Sequence, residues 1–175
     1  MWPPVALDPP GAQAWQRLLG TPVDGLEADH VSVMLYTSIL EGWSRGALRR
    51  DHVTALLARG TARTLRRFAD RGGVSLGCVG TGAFEHEPIY RAPSELASDV
   101  AIARSLGCTS LALFDLGGVL AREPAEAWLD AFTKDSEAPA PVRIGTRVAA
   151  ARTLARAATW ALSGALASSR DREGA

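Results

Sequence analysis

Residues 111–120, LALFDLGGVL, constrain the fold more than any other stretch of the chain. A short apolar run leads to a single carboxylate, Asp115, and then breaks on Gly117 and Gly118. Continuous apolar runs bounded by turn residues are the mark of a strand buried on both faces, the kind found in parallel sheets. Open α/β sheets and barrels gather their chemistry at the carboxyl ends of such strands, so Asp115 is the first candidate site residue.

The rest of the chain falls into a rhythm around that strand. Residues 31–40, VSVMLYTSIL, are rich in β-branched and aromatic side chains and predict a first strand, and residues 74–81, VSLGCVGT, predict a second. Asp51 is placed to cap a helix running to about Asp70, with Val53, Leu56, Leu57, Leu65 and Phe68 on one stripe and Gly72 and Gly73 as its stop. Ser94 is placed to cap a second helix whose face is Leu96, Val100, Ala103 and Leu106, ended by Gly107. Pro124 opens a third, carrying Trp128, Leu129 and Phe132. Alternation of strand and helix predicts a parallel sheet joined by helical crossovers.

Around this unit the sequence divides as follows. Residues 1–11 hold four prolines and read as an extended arm, followed by a short helix at residues 12–19 that opens a domain reaching residue 134. Residues 135–142 read as a polar linker, residues 143–168 as a long Ala-rich helix and residues 169–175 as a tail. Arg147, Arg152 and Arg156 interrupt that last helix, which favours a packing helix over a membrane span, with a surface-lying amphipathic helix as the alternative.

Charge narrows the partners. The 19 basic residues balance 19 acidic ones, so no overall field draws in nucleic acid or an anionic membrane. All the basic residues except Lys134 are arginines, and the densest group, Arg63, Arg66, Arg67 and Arg71, fits the solvated face of one helix. Cys78 and Cys108 lie thirty residues apart with no histidine at metal spacing, which points to two buried free thiols and to no metal site or cofactor. The first residues lack a basic segment followed by an apolar one, so the sequence as given is expected to be cytoplasmic.

Along the three strands, one face is smaller and turns more polar toward the strand ends, which suits a barrel lumen better than a sheet covered on both sides. The succession VSVMLYTSILEG, then VSLGCVGTG with a DVAIARSLG helix, then ALFDLGG with an EAWLDAF helix resembles the last three βα units of a TIM barrel. In style it is most similar to glycoside-hydrolase-like barrels, over about residues 30–133. The expected fold is therefore α/β, a partial (β/α) barrel of about three parallel strands with flanking helices and a long C-terminal helix. The resemblance implies a carbohydrate ligand and strand-end carboxylates working as acid and base. Asp115, Glu41 and Glu85 are the catalytic candidates; Tyr36, Ser38, Thr81, His86, Glu87 and Tyr90 are the substrate-binding candidates.

Each candidate also has a structural reading. Glu85 and Glu87 read equally as solvated loop charges, His86 as a surface imidazole, and Asp115 as the cap of its own glycine turn. FDLGGVL also resembles the first motif of haloacid-dehalogenase-like phosphatases, but Gly117 stands where that family's second aspartate belongs. GCVGTG lacks the lysine and the immediate helix of a phosphate-binding loop. A different class remains open, a non-catalytic fragment or assembly module. Three parallel strands leave two edges unpaired, which predicts self-association or a missing N-terminal half-barrel.

Overall fold

The structure, a computed structural model, describes residues 27–80 and 86–138. The arm, the first short helix, the C-terminal helix, the tail, Thr81 and Glu85 lie outside the described residues. So does the linker beyond residue 138.

Three parallel strands, β1 (Val31–Met34), β2 (Gly72–Gly77) and β3 (Leu111–Phe114), lie side by side in chain order. Their register aligns Val33 with Val74 and Val74 with Leu111. Among the described residues five α-helices accompany them: α1 (Thr37–Trp43), α2 (Arg50–Phe68), α3 (Pro93–Ser105), α4 (Leu116–Ala121) and α5 (Ala125–Thr133). The chain is thus α/β, a parallel sheet with flanking helices, as its rhythm predicts.

Burial follows helical spacing. In α2 the buried residues Val53, Leu57, Thr61, Thr64 and Phe68 recur every three or four positions and press one stripe onto the sheet. In α3 they are Leu96, Val100 and Ala103, while Leu106, expected on the same face, is the C-cap residue and is exposed. Gly107 then takes the left-handed conformation (φ +87°) that ends the helix. Val33, Leu35, Val74 and Leu76 share one core with Leu57 of α2 and with Leu96 and Val100 of α3. Both crossover helices therefore cover the same face of the sheet. Trp128 of α5 is buried in this core as well, whereas Leu129 stays exposed.

The structure moves several element boundaries. The second strand runs Gly72–Gly77 rather than 74–81, so the two glycines expected to stop a helix lie inside it, and residues 116–121 are helical rather than a plain turn. The first strand ends at Met34, and residues 37–43 are helical rather than extended. Thr37 and Ser38 spend their hydroxyls on side-chain and main-chain partners across the fold, so this stretch is held by tertiary bonds that strand propensity does not see. Asp51 sits inside the first turn of α2; the cap is Arg49, whose N–H donates to Nδ1 of His52 (3.1 Å). Ala92 rather than Ser94 caps α3, with Pro93 at its first position.

One buried polar network ties the helices together. Asp99 of α3 is fully buried, and its Oδ1 accepts from Nη2 of Arg50 at 2.5 Å. Its Oδ2 accepts from the Tyr90 hydroxyl (2.8 Å) and from Thr37 Oγ1. Three elements thus meet on one carboxylate. Burial raises the Asp99 carboxyl above the ordinary aspartate range, and Arg50, Thr37 and Tyr90 offset only part of that rise. A carboxyl that holds its proton more tightly when folded adds stability below its unfolded pKa and loses it as pH rises through the folded value. Asp99→Asn is therefore expected to flatten the fall in stability with rising pH just above the ordinary aspartate range. Urea midpoints from pH 4 to 8 for both proteins read this directly, and identical pH profiles would contradict it.

Candidate functional site

The carboxyl ends of the strands converge on Cys78. The opposite face of the sheet carries a second, smaller cluster in which Tyr36, Ile39 and Cys78 are buried and Met34 and Phe114 pack against them. Tyr36 stacks on Phe114 with ring centroids 5.8 Å apart, and its hydroxyl lies 3.3 Å from Ser75 Oγ. Strict alternation would place Cys78 beside Leu76 and Asp115 beside Leu113. Instead Cys78 joins the Tyr36 cluster, Val79 joins the main core, and the Asp115 charge acts on Tyr36 and Cys78. The Gly77–Cys78 and Phe114–Asp115 peptide bonds are both cis.

Two carboxylates act on this cluster electrostatically, Glu87 and Asp115. Glu87 is only 7% exposed, a degree of burial that a solvated loop charge does not reach. Asp115 is half-buried and caps α4, its Oδ1 accepting from the Gly118 N–H at 2.5 Å. Desolvation pushes the Cys78 thiol up to about 12, and the charges of Glu87 and Asp115 push it the same way. Burial raises the Tyr36 hydroxyl as well, with smaller contributions from Cys78, Glu87 and Asp115. Cys78 is consequently a protonated thiol near neutral pH and not a ready nucleophile.

Two glycines let the strand ends close. Gly80, after β2, and Gly118, in α4, touch main chain to main chain, and a Cβ on either would overlap the other's backbone. Gly80 of GCVGTG and Gly118 of FDLGGVL are thus the two halves of one contact. Neither glycine signal marks a phosphate loop.

The remaining candidates separate. Ser38 is buried, donating to Gly77 O and accepting from Cys78 N, both at 2.8 Å, so its hydroxyl holds the turn after β2 rather than a ligand. Tyr90 is corrected in the same way: it is fully buried with its hydroxyl on Asp99, and it offers no face to a substrate. His86 is exposed. Glu41 is engaged in an ion pair: its Oε1 pairs with Nη2 of Arg91 at 2.8 Å, and Arg91 also binds Glu95. These charges line an open cleft of about 490 Å³, with Ser38, Arg49, Pro88 and Ile89 among its walls.

Asp99, Arg50, Cys78 and Arg122 matter more than the sequence suggests. Asp99 carries a readable signal, a carboxylate three residues after Leu96 on the apolar stripe of its helix. Among the described residues no group of three or more His, Cys, Asp or Glu side chains is placed to hold a metal ion, and no helix is long and apolar enough to cross a membrane. Comparison with protein-family models, curated proteins and solved structures gave no match.

Proposed function

We propose that the strand ends form a hydrolytic site in which Asp115 and Glu87 act as a carboxylate pair on a carbohydrate, set in a partial (β/α) barrel. The observation that carries this reading is that the charges of Glu87 and Asp115 both act on the Tyr36 hydroxyl and the Cys78 thiol, beside the cluster those two residues form with Phe114. Glu87 takes the place that the sequence offered to Glu41 or Glu85. Both crossover helices on one face of the sheet, with aromatic and polar side chains on the other, also suit a barrel wall.

In glycoside hydrolysis one carboxyl protonates the leaving oxygen, and the other, as carboxylate, attacks the sugar or activates water. A thiol pushed up to about 12 leaves the nucleophile's role to a carboxylate or to water. Tyr36, with its ring on Phe114 and its hydroxyl near Ser75, is held in place within the field of the two carboxylates.

The test is a panel of neutral oligosaccharides, scored for reducing-end release and for shifts in tryptophan or tyrosine signals. The proposal expects turnover of at least one glycan. Complete silence across the panel overturns it.

One observation favours a second reading, a non-catalytic assembly module. Ser38, Tyr90 and Oδ1 of Asp115 are all engaged in bonds within the chain. In that case the glycan panel is silent and light scattering reports a stable oligomer.

A further inference from the structure

We propose that Arg122 is a positioning residue for the strand-end site, its guanidinium holding the segment that carries Glu87 against the ends of β2 and α4. That Glu87 works chemically there rests on the proposed function above; that Arg122 places it rests on geometry alone. Nη1 of Arg122 donates to Tyr90 O at 2.6 Å and to Val79 O at 3.2 Å, and Nη2 donates to Arg91 O at 3.4 Å. Three main-chain carbonyls from two separate segments thus meet one side chain.

The placement of these partners gives Arg122 its role. Val79 directly follows Cys78, and Tyr90 lies three residues after Glu87. Arg122 is the C-cap of the six-residue helix whose N-cap is Asp115. The two carboxylates are therefore linked through one short helix and one guanidinium. A second tie runs from Tyr90 N–H to Cys78 O at 2.9 Å, so releasing Tyr90 also uncovers the main chain at Cys78. The guanidinium stands 4.3 Å from the centroid of the Trp128 ring, which sets its plane. A planar fork with several donors bridges diverging carbonyls; a lysine ammonium, a single point charge, does this poorly.

Site-resolved alkylation tests the clamp without any substrate. The full chain is treated with iodoacetamide, and modification of Cys78 and of Cys108 is followed separately by peptide mass spectrometry. Both thiols are buried, but Cys108 lies just before β3, bonded to Ser110 O, at the other end of the sheet. It serves as the internal reference.

In Arg122→Ala, Cys78 is expected to react about ten- to a hundredfold faster, from loss of charge-assisted bonds that hold the segment closed, while Cys108 keeps its rate. Arg122→Lys is expected to fall between the two, and it carries the same test if the alanine variant does not fold. Glu87→Gln removes one charge that disfavours the Cys78 thiolate. It should speed Cys78 in the parent and add nothing in the Arg122→Ala background. Equal acceleration of both thiols, or no acceleration of Cys78, overturns the clamp. A silent glycan panel alongside selective Cys78 exposure removes the hydrolytic reading and leaves the clamp standing.

Discussion

Gly118→Ala is expected to leave little folded protein, while Gly117→Ala, one residue earlier in the same glycine pair, is expected to behave nearly as the parent. A Cβ on Gly118 would overlap the backbone of Gly80, and backbone, unlike the tip of a side chain, has no rotamer through which to yield. Relief requires the ends of β2 and β3 to move apart, and Val79 and Val119, both fully buried, sit on either side of the contact. The cost is put at about 3 kcal/mol or more, a large part of the net stability of a small domain. A Cβ on Gly117 meets only Asp115 Oδ1, at 3.2 Å, and alanine favours the helix it joins, so its effect should stay within about 1 kcal/mol. Gly80→Ala should match Gly118→Ala, because both create the same overlap. Soluble yield and urea midpoints of the three variants decide this, and a Gly118→Ala protein that unfolds with the parent would contradict it.

The glycine contact also shows what the sequence could and could not reveal. Each glycine-rich stretch was visible as a strand-ending turn, but nothing in either run says that it packs against the other. Such a contact depends on how the main chain is routed beyond the ends of two neighbouring strands, which the hydrophobic period within either strand does not describe. Period did place the three strands and the stripes of α2 and α3, because one face of each must be dry. It failed at residues 37–40, where buried hydroxyls bound to Asp99 and Gly77 make a helix out of a β-prone segment.

The site was legible in the same partial way. Asp115, Tyr36 and Glu87 stand out as candidates because strand ends and the loop beyond them are natural positions for chemistry, and Cys78 feels the charges of both carboxylates. Tyr90 and Ser38 sit at equally suggestive positions, yet their hydroxyls are taken up inside the fold. Glu41 pairs with Arg91 because residues 37–43 turn helical and carry it there. Arg122 offered no signal, since its partners are main-chain carbonyls, which every residue carries whatever its side chain.

A working pair of Asp115 and Glu87, as proposed, has sharp consequences for substitutions at the two residues. Asn at position 115 keeps an oxygen to accept from the Gly118 N–H, so the cap on α4 and the fold should survive with a loss of about 1 kcal/mol or less. It cannot transfer a proton or attack as a carboxylate, so turnover should fall about 10²- to 10⁴-fold. Asp115→Ala loses the cap as well and should melt lower than the Asn variant by about 1 kcal/mol in stability. Glu87→Gln preserves shape in a nearly closed position and should likewise separate activity from folding. The deciding measurement is the hydrolysis rate of Asp115→Asn and Glu87→Gln on a glycan the parent cleaves, with thermal melting recorded on the same samples. Near-parental melting with a loss of rate of at least about a hundredfold in both variants is the predicted result. Parental rates in either variant, or an Asp115→Asn protein that melts far below the parent, would contradict the account.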